Sequence, residues 1–246
     1  MVVEYACTER VARIHLARPE RLNAVVPVLV DGLIDALDRA HDEANVIVLA
    51  GRGRAFCAGH DLKEPVPVET LVQTRVRLEQ IQEVTRRIRS FPGIVISAVH
   101  GYALGAGCEF ALGCDLVVAD ETARFGFPEV GVGLSVTGGI SALLPKIVGP
   151  YRAKELLLTG RHLDATEAAS LGLVNRLASL GAHEQVALGL AREINTKPPT
   201  AASLAKQVVD LGLGSTLEEA LATEVDHALI TSVSGEGDAP RGEFGR

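Results

Sequence analysis

Hydrophobic residues are distributed along this chain in two distinct ways. Short continuous apolar runs are typical of strands that are buried on both faces of a sheet. Such runs predict strands at residues 46–50, 94–99 and 116–119, and shorter or mixed segments also predict strands at residues 2–6, 11–16 and 174–177. Apolar residues spaced three and four positions apart predict amphipathic helices instead. They occur at residues 27–43, 71–88, 140–148, 151–159, 166–171, 183–195, 199–211 and 217–230.

The order of these predicted elements indicates the fold class. Strands alternate with helices at first, and helices alone follow. Alternation of this kind is typical of α/β proteins. We therefore predict one α/β core over residues 1–195 and a helical C-terminal region over residues 196–233. Residues 234–246 are polar and rich in glycine, which predicts a flexible tail.

Composition and charge exclude several classes of function. The chain carries 31 acidic and 24 basic residues, a net charge of −7, which argues against nucleic acid as a partner. The charged N-terminus argues against a signal peptide, and no apolar run is long enough for a membrane span. The four cysteines lack the spacing of zinc ligands, so we expect reduced thiols and no metal site. These features together predict a cytoplasmic protein.

The glycine-rich segment 94–129 is the strongest candidate for chemistry. It combines a strand, a turn with glycines at 101, 105 and 107, and an apolar helix that begins near Ala106. Such a turn leaves backbone N–H groups free to meet a ligand at the helix N-terminus. Glu109 lies in this helix between apolar neighbours, and Glu129 follows soon after it. The arrangement indicates an enzyme that develops negative charge on an oxygen atom while it transfers protons.

Four segments of the chain together resemble the successive motifs of the crotonase (enoyl-CoA hydratase/isomerase) superfamily. They read ARPERLNA, GRAFCAGHDLKE, VHGYALGAGCEFALGCDLVVAD and ARFGFPEVGVGL. The resemblance spans about residues 11–177, and its weight comes from several separate motifs in the same order. It implies a crotonase-like ββα superhelix with a helical C-terminal trimerisation region. A homotrimer or a dimer of trimers is the assembly that it implies.

The same resemblance implies roles for particular residues. The backbone N–H groups of His60 and Ala106 would form an oxyanion hole. Glu109 would activate a water molecule, and Glu129 would supply a proton to carbon C2 of the substrate. Coenzyme A would be part of the substrate rather than a separate cofactor. The residues expected to bind it are Ala58, Asp61, Leu62, Lys63, Arg21 and Leu22, and Arg18 is a further nearby cation.

We predict that the protein adds water, with syn geometry, to a trans-2-enoyl-CoA to give a 3-hydroxyacyl-CoA. A double-bond isomerase, which needs only one carboxylate, and another acyl-CoA lyase of the same superfamily are the alternative enzymes. A non-catalytic acyl-CoA-binding protein and an oligomeric scaffold are alternatives of other classes. The segment LSVTGG replaces the IPGAGG that is usual in family hydratases, with Val136 and Thr137 at the change. The acyl-chain preference therefore stays open.

Overall fold

The structure, a computed structural model, describes residues 1–64 and 68–236. Positions 237–246 of the predicted flexible tail therefore lie outside the described residues. The strands are β1 (Val3–Thr8), β2 (Val11–Leu16), β3 (Val46–Gly51), β4 (Ile94–Val99), β5 (Tyr102–Leu104), β6 (Leu116–Asp120), β7 (Arg124–Gly126), β8 (Leu163–Asp164) and β9 (Arg176–Ala178). The helices are α1 (Pro27–Glu43), α2 (Leu71–Ser90), α3 (Ala106–Gly113), α4 (Ile140–Val148), α5 (Pro150–Thr159), α6 (Ala165–Ser170), α7 (His183–Asn195), α8 (Pro199–Gly212) and α9 (Leu217–Val233).

The larger of two sheets has the strand order β1-β2-β3-β4-β6-β9. β1 and β2 form an antiparallel hairpin, and every later pairing in this sheet is parallel. All residues of β3 are buried, which explains why this strand is a continuous apolar run rather than an alternating one. α1 covers one face of the sheet through Leu29, Leu33 and Leu37, and α7 covers the other through Ala187 and Leu190.

A smaller sheet of three short strands has the order β5-β7-β8. β5 pairs in parallel with β7, which pairs antiparallel with β8. The sequence pattern predicts neither β5 nor β8 as a strand, because two or three residues are too few to show a period. β5 nevertheless matters for function, because it carries the chain from β4 to the start of α3.

The C-terminal helices lie differently from the rest of the chain. Neither α8 nor α9 contains a buried residue, although both contain many apolar side chains. The Lys206 ammonium joins α8 to the core, since it lies 3.0 Å from the Asp115 carboxylate and donates to the backbone oxygens of Phe91 and Gly93. The division into a core at 1–195 and a helical region at 196–233 stays a prediction. Within residues 1–64 and 68–236, no helix combines the length and the apolar character that crossing a membrane requires.

Candidate active site

Two turns that are distant in sequence lie side by side in the structure. Cys57 pairs with Ala103 of β5, because its amide donates to Tyr102 and its carbonyl accepts from Leu104. This pairing places the turn at Gly59 against the turn at Gly105. A Cβ atom on Gly59 would lie only 2.8 Å from the Leu104 oxygen, and both glycines have positive φ angles. Glycine is therefore required for the close approach of the two backbones.

The backbone amides that follow these glycines are available to a ligand. His60 forms a parallel bridge with Val25, but the bridge uses the carbonyl of Gly59 and the amide of Asp61. Ala106 is the first residue of α3, so its amide has no acceptor within the helix. In the described part of the chain, neither amide donates to another protein atom. Two unused donors therefore stand in neighbouring turns, as an oxyanion hole requires.

Glu109 is a carboxylate within an almost completely buried helix. All eight residues of α3 are buried, and Glu109 is only 1% exposed. The Thr137 backbone amide donates to its Oε1 at 2.6 Å, and the Thr137 hydroxyl donates to its Oε2 at 2.6 Å. Burial raises the pKa of the Glu109 carboxyl above its usual range, and the two hydrogen bonds from Thr137 oppose that rise.

Glu129 lies close to the same place but lacks comparable partners. It is the second residue of a 3-10 helix at Pro128–Val132 and is 9% exposed. Its Oε1 lies next to Gly105, where an added Cβ would stand 2.8 Å from it. Its Oε2 is buried and has no hydrogen-bond partner among the described residues. Burial raises the pKa of the Glu129 carboxyl, and the nearby charge of Glu109 raises it further.

The residues expected to bind coenzyme A lie at the mouth of these turns. The Ala58 amide donates to the Leu22 carbonyl, which joins the loop before α1 to the turn at Gly59. Leu62 is 70% exposed and Lys63 is also exposed, so both are accessible to a ligand.

The sequence suggested Arg18 and Arg21 as cations near a phosphate. In the structure both guanidinium groups are paired with Asp61. Asp61 binds the Arg21 guanidinium at 2.9 and 3.1 Å and lies 3.4 Å from Arg18. Burial raises the pKa of the Asp61 carboxyl, but the bonds and charges of these partners hold it below its usual range. The Arg18 guanidinium is turned to Asp61 and the Ala24 carbonyl, and its contact with a phosphate stays a prediction.

A small apolar pocket opens beside the imidazole of His60. It has a volume of about 50 Å³ and lies between the start of α1 and the middle of α2. Its lining residues are Val25, Val26, Pro27, Val30, His60, Arg77, Gln80 and Ile81. Burial, together with the Arg77 charge, lowers the pKa of the His60 imidazole. An uncharged imidazole in this place suits contact with an apolar group.

The contact of Thr137 with Glu109 could not be predicted from the sequence. LSVTGG stands out there only as a departure from a family pattern, and nothing in the local spacing connects residue 137 with residue 109. Only the fold brings the loop before α4 onto α3, where Gly138 packs against Glu109. A Cβ on Gly138 would lie 2.6 Å from the Glu109 Cβ. The one available signal was the departure from the pattern itself.

Comparisons with known proteins bear on the family and the fold of this chain. The family model described as enoyl-CoA hydratase/isomerase matches residues 7–236. A Thermus thermophilus protein whose name includes enoyl-CoA hydratase is 39% identical over 213 residues, which cover 85% of this chain and 84% of the relative. The short-chain-enoyl-CoA hydratase of Clostridium acetobutylicum is 33% identical over 218 residues, 87% of this chain and 83% of the relative. The crystal structure of an enoyl-CoA hydratase from Polaromonas sp. JS666 superposes with a TM-score of 0.93 at 32% identity and covers 98% of this chain and 96% of that one.

Proposed function

The chain belongs to the enoyl-CoA hydratase/isomerase family, and on that premise we propose that it adds water to a trans-2-enoyl-CoA to give a 3-hydroxyacyl-CoA. Its fold is the crotonase-like α/β fold predicted from the motifs. The observation that carries the proposal is the meeting of two buried glutamates with two unused backbone amides around Gly105. A hydratase needs both pairs of groups, whereas a binding protein needs neither carboxylate.

The amides of His60 and Ala106 supply the electrophilic part of the proposed reaction. When water attacks C3, negative charge moves through the double bond to the thioester oxygen. Two fixed N–H donors on that oxygen stabilise the enolate-like transition state, and each such donor typically contributes about 3–4 kcal/mol. The donors belong to the backbone, so the side chains of residues 60 and 106 take no part in this step.

The two glutamates supply the proton transfers. Glu109 accepts a proton from the water molecule as its oxygen bonds to C3. Glu129 delivers a proton to C2 as the enolate returns its electrons to form the C2–H bond. The addition is syn when both carboxyl groups face the same side of the substrate plane. Burial raises the pKa of both carboxyl groups. The two hydrogen bonds from Thr137 oppose that rise at Glu109, which suits a base, and the nearby charge of Glu109 adds to it at Glu129, which suits a proton donor.

We assign the coenzyme A portion of the substrate to the surface beside the turn at Gly59. The residues are Ala58, Asp61, Leu62, Lys63, Arg21 and Leu22. Lys63 offers the exposed cation for a phosphate, while Asp61 holds Arg21 in place. Coenzyme A enters and leaves as part of the thioester, so this scheme needs no separate cofactor and no metal.

The assembly that fits the C-terminal region is a homotrimer or a dimer of trimers. In a single chain, α9 presents apolar side chains to solvent along its whole length, and α8 does so at Val209 and Leu211 near its C-terminal end. Exposed apolar surface of this kind is typical of helices that pack on a second subunit.

The experiment that tests this function measures loss of the enoyl chromophore of crotonyl-CoA by the purified protein. The wild type is expected to turn over, and Glu109→Gln and Glu129→Gln are expected to bind the CoA ester with steeply reduced turnover. Calorimetric titration with a saturated acyl-CoA checks that binding persists. Wild-type activity in the Glu109→Gln variant would contradict the assignment.

Isomerisation of a 3-enoyl-CoA to a 2-enoyl-CoA is the second candidate. It is favoured by one observation, which is that Thr137 bonds both oxygens of Glu109 while Glu129 Oε2 has no partner among the described residues. A single unengaged carboxyl group could carry a proton from C2 to C4. Turnover of a 3-enoyl-CoA at a higher kcat/KM than crotonyl-CoA would favour this reaction over hydration.

A further inference from the structure

Thr137 makes an unusual contact with Glu109, because one residue bonds both carboxylate oxygens. Its amide donates to Oε1 and its hydroxyl to Oε2, each at 2.6 Å. Hydrogen bonds to an ionised group are short and about twice as strong as neutral ones. Two donors on two oxygens also fix the plane of the carboxylate, which a single donor does not.

The backbone around Thr137 is shaped for this contact. Gly138 has a φ of +57°, and a Cβ there would lie 3.0 Å from Glu109 Oε2 as well as 2.6 Å from its Cβ. Any other residue would push the loop away from α3. The absence of a side chain at residue 138 therefore allows the side chain of residue 137 to reach the carboxylate.

The titratable groups around Glu109 do not stabilise its negative charge, so the Thr137 donors must do so. The titratable groups that face it are the Glu129 carboxyl and the thiols of Cys57 and Cys108, which are all neutral or negative. No Lys, Arg or His among residues 1–64 and 68–236 forms an ion pair with either glutamate. The hydroxyl and amide of Thr137 are thus the groups that offset the burial of a negative charge at Glu109.

We propose that Thr137 is a positioning residue whose hydroxyl holds Glu109 ionised and in a fixed orientation. Glu109 therefore acts as the base, and Glu129 acts as the acid. This inference rests on the proposed hydration and adds to it the group that divides the two roles. Each oxygen of a carboxylate has two lone pairs, so Glu109 retains acceptor capacity for the reacting water. The IPGAGG pattern that is usual in family hydratases has alanine in place of Thr137 and offers no side-chain hydroxyl there.

Three variants test the proposal through the pH dependence of kcat/KM for crotonyl-CoA. Thr137→Val keeps the shape and the amide but removes the hydroxyl, and should lower kcat/KM by about 10- to 100-fold, the factor for one lost bond to a charged group. Its acidic limb should move to higher pH, because Glu109 then holds its proton more tightly. Thr137→Ser, which restores a hydroxyl, should stay within about threefold of the wild type.

Ser135→Ala is the matched control, since Ser135 is an exposed hydroxyl in the same loop and should leave rate and pH limb unchanged. An unshifted limb and a wild-type rate in Thr137→Val would overturn the proposal. Equal losses in Thr137→Val and Thr137→Ser would overturn it too, because the hydroxyl would then not be responsible. Melting curves of all variants identify any that fail to fold.

A second readout separates this proposal from the hydratase assignment. Carbon-13 NMR of protein labelled at glutamate carboxyl groups follows the titration of Glu109, assigned from the spectrum of Glu109→Gln. Glu109 should titrate at higher pH in Thr137→Val than in the wild type, whatever the enzyme's substrate. An equal titration in both proteins overturns the role of Thr137, whereas failure of the wild type to hydrate any 2-enoyl-CoA overturns only the reaction.

Discussion

Helix α3 and helix α9 use apolar residues in opposite ways. Every residue of α3 is buried, and its one charged side chain, Glu109, is enclosed with the rest. α9 has 17 residues, none of them buried, although leucine or valine recurs every fourth position from Leu217 to Val233. A helix that is apolar all round belongs in a core, whereas a single stripe needs a partner surface. α3 finds its partners within this chain, and the described residues offer none for the stripe on α9.

The candidate site around α3 is built from contacts within one chain. The glutamates, the two turns and the loop at Thr137 all come from residues 57–138 and contact one another directly. The C-terminal helices instead leave apolar side chains exposed in the single chain, and none of their residues is buried. Substitutions should therefore have local chemical effects around α3 and effects on assembly around α9.

The largest expected effect comes from removing a carboxylate beside α3. Glu109→Gln should lower kcat for crotonyl-CoA by about 10²- to 10⁴-fold, because one partner of the acid–base pair is lost. Glu224→Gln, an exposed position on α9, is the control and should retain full activity. Similar activities of the two variants, measured by steady-state kinetics, would remove the distinction between the regions.

Truncation of an apolar side chain should cost much more stability in α3 than in α9. Phe110→Ala in α3 should reduce the free energy of unfolding by about 3–5 kcal/mol, since Phe110 is fully buried and a cavity would remain. Leu221→Ala in α9, where Leu221 is 46% exposed, should cost less than about 1 kcal/mol at low protein concentration. Urea unfolding monitored by circular dichroism measures both. A comparable loss from Leu221→Ala would mean that α9 is covered even in the isolated subunit.

Substitution of a glycine by alanine should change stability in opposite directions in the two regions. Gly105 has a φ of +52° and lies against Glu129, so Gly105→Ala should cost roughly 1–3 kcal/mol of stability and displace the carboxyl group. Gly212 ends α8 with open space around it, and Gly212→Ala should stabilise the protein by roughly 0.5 kcal/mol. Thermal melting gives both values, and a stable, active Gly105→Ala variant would contradict the close packing at the site.

A charge placed on the apolar stripe should act on assembly. Val225 is 60% exposed in the single chain, so Val225→Glu should leave the folded subunit intact. If the stripe packs on a second subunit, the variant should weaken association by about 1–3 kcal/mol, the usual cost of burying an unpaired polar group. Analytical ultracentrifugation compares its mass with that of Asp226→Asn, an exposed neighbour. An unchanged assembly would show that the stripe is not an interface.

The smallest expected effect is a pH dependence of stability at Glu129. Burial raises its pKa in the folded state, so the folded protein holds this proton to higher pH than the unfolded chain does. The stabilising contribution is complete below the unfolded pKa of about 4.3 and is lost as pH rises through the folded pKa. Glu129→Gln should therefore melt above the wild type near neutral pH, and this difference should shrink toward pH 4. If the difference in melting temperature grew on acidification instead, the pKa of Glu129 would be lowered by folding rather than raised.

The elements that the sequence predicted well are those with a long and regular pattern. α1 has the predicted bounds, because Pro27 opens it and its buried leucines keep a helical period to Glu43. β2 and β4 also match, since each is a six-residue segment of mostly apolar residues, with Arg13 as an exposed polar interruption in β2. β5 and β8 were missed because pairing with other strands, rather than their own residue pattern, makes them strands. The motif around Gly105 located the candidate site for a different reason, since glycine alone tolerates its backbone angles.

By itself, the sequence determined the α/β class, the family and the positions of the two glutamates, because local periodicity and short motifs carry that information. Only the tertiary structure decided that Thr137 bonds Glu109, that Asp61 occupies Arg21, and that Glu129 Oε2 is left without a partner among the described residues. Each of these is a contact between residues far apart in the chain or a gap in such contacts. Hydrogen bonds and burial depend on which side chains the fold brings together, and no local pattern encodes that.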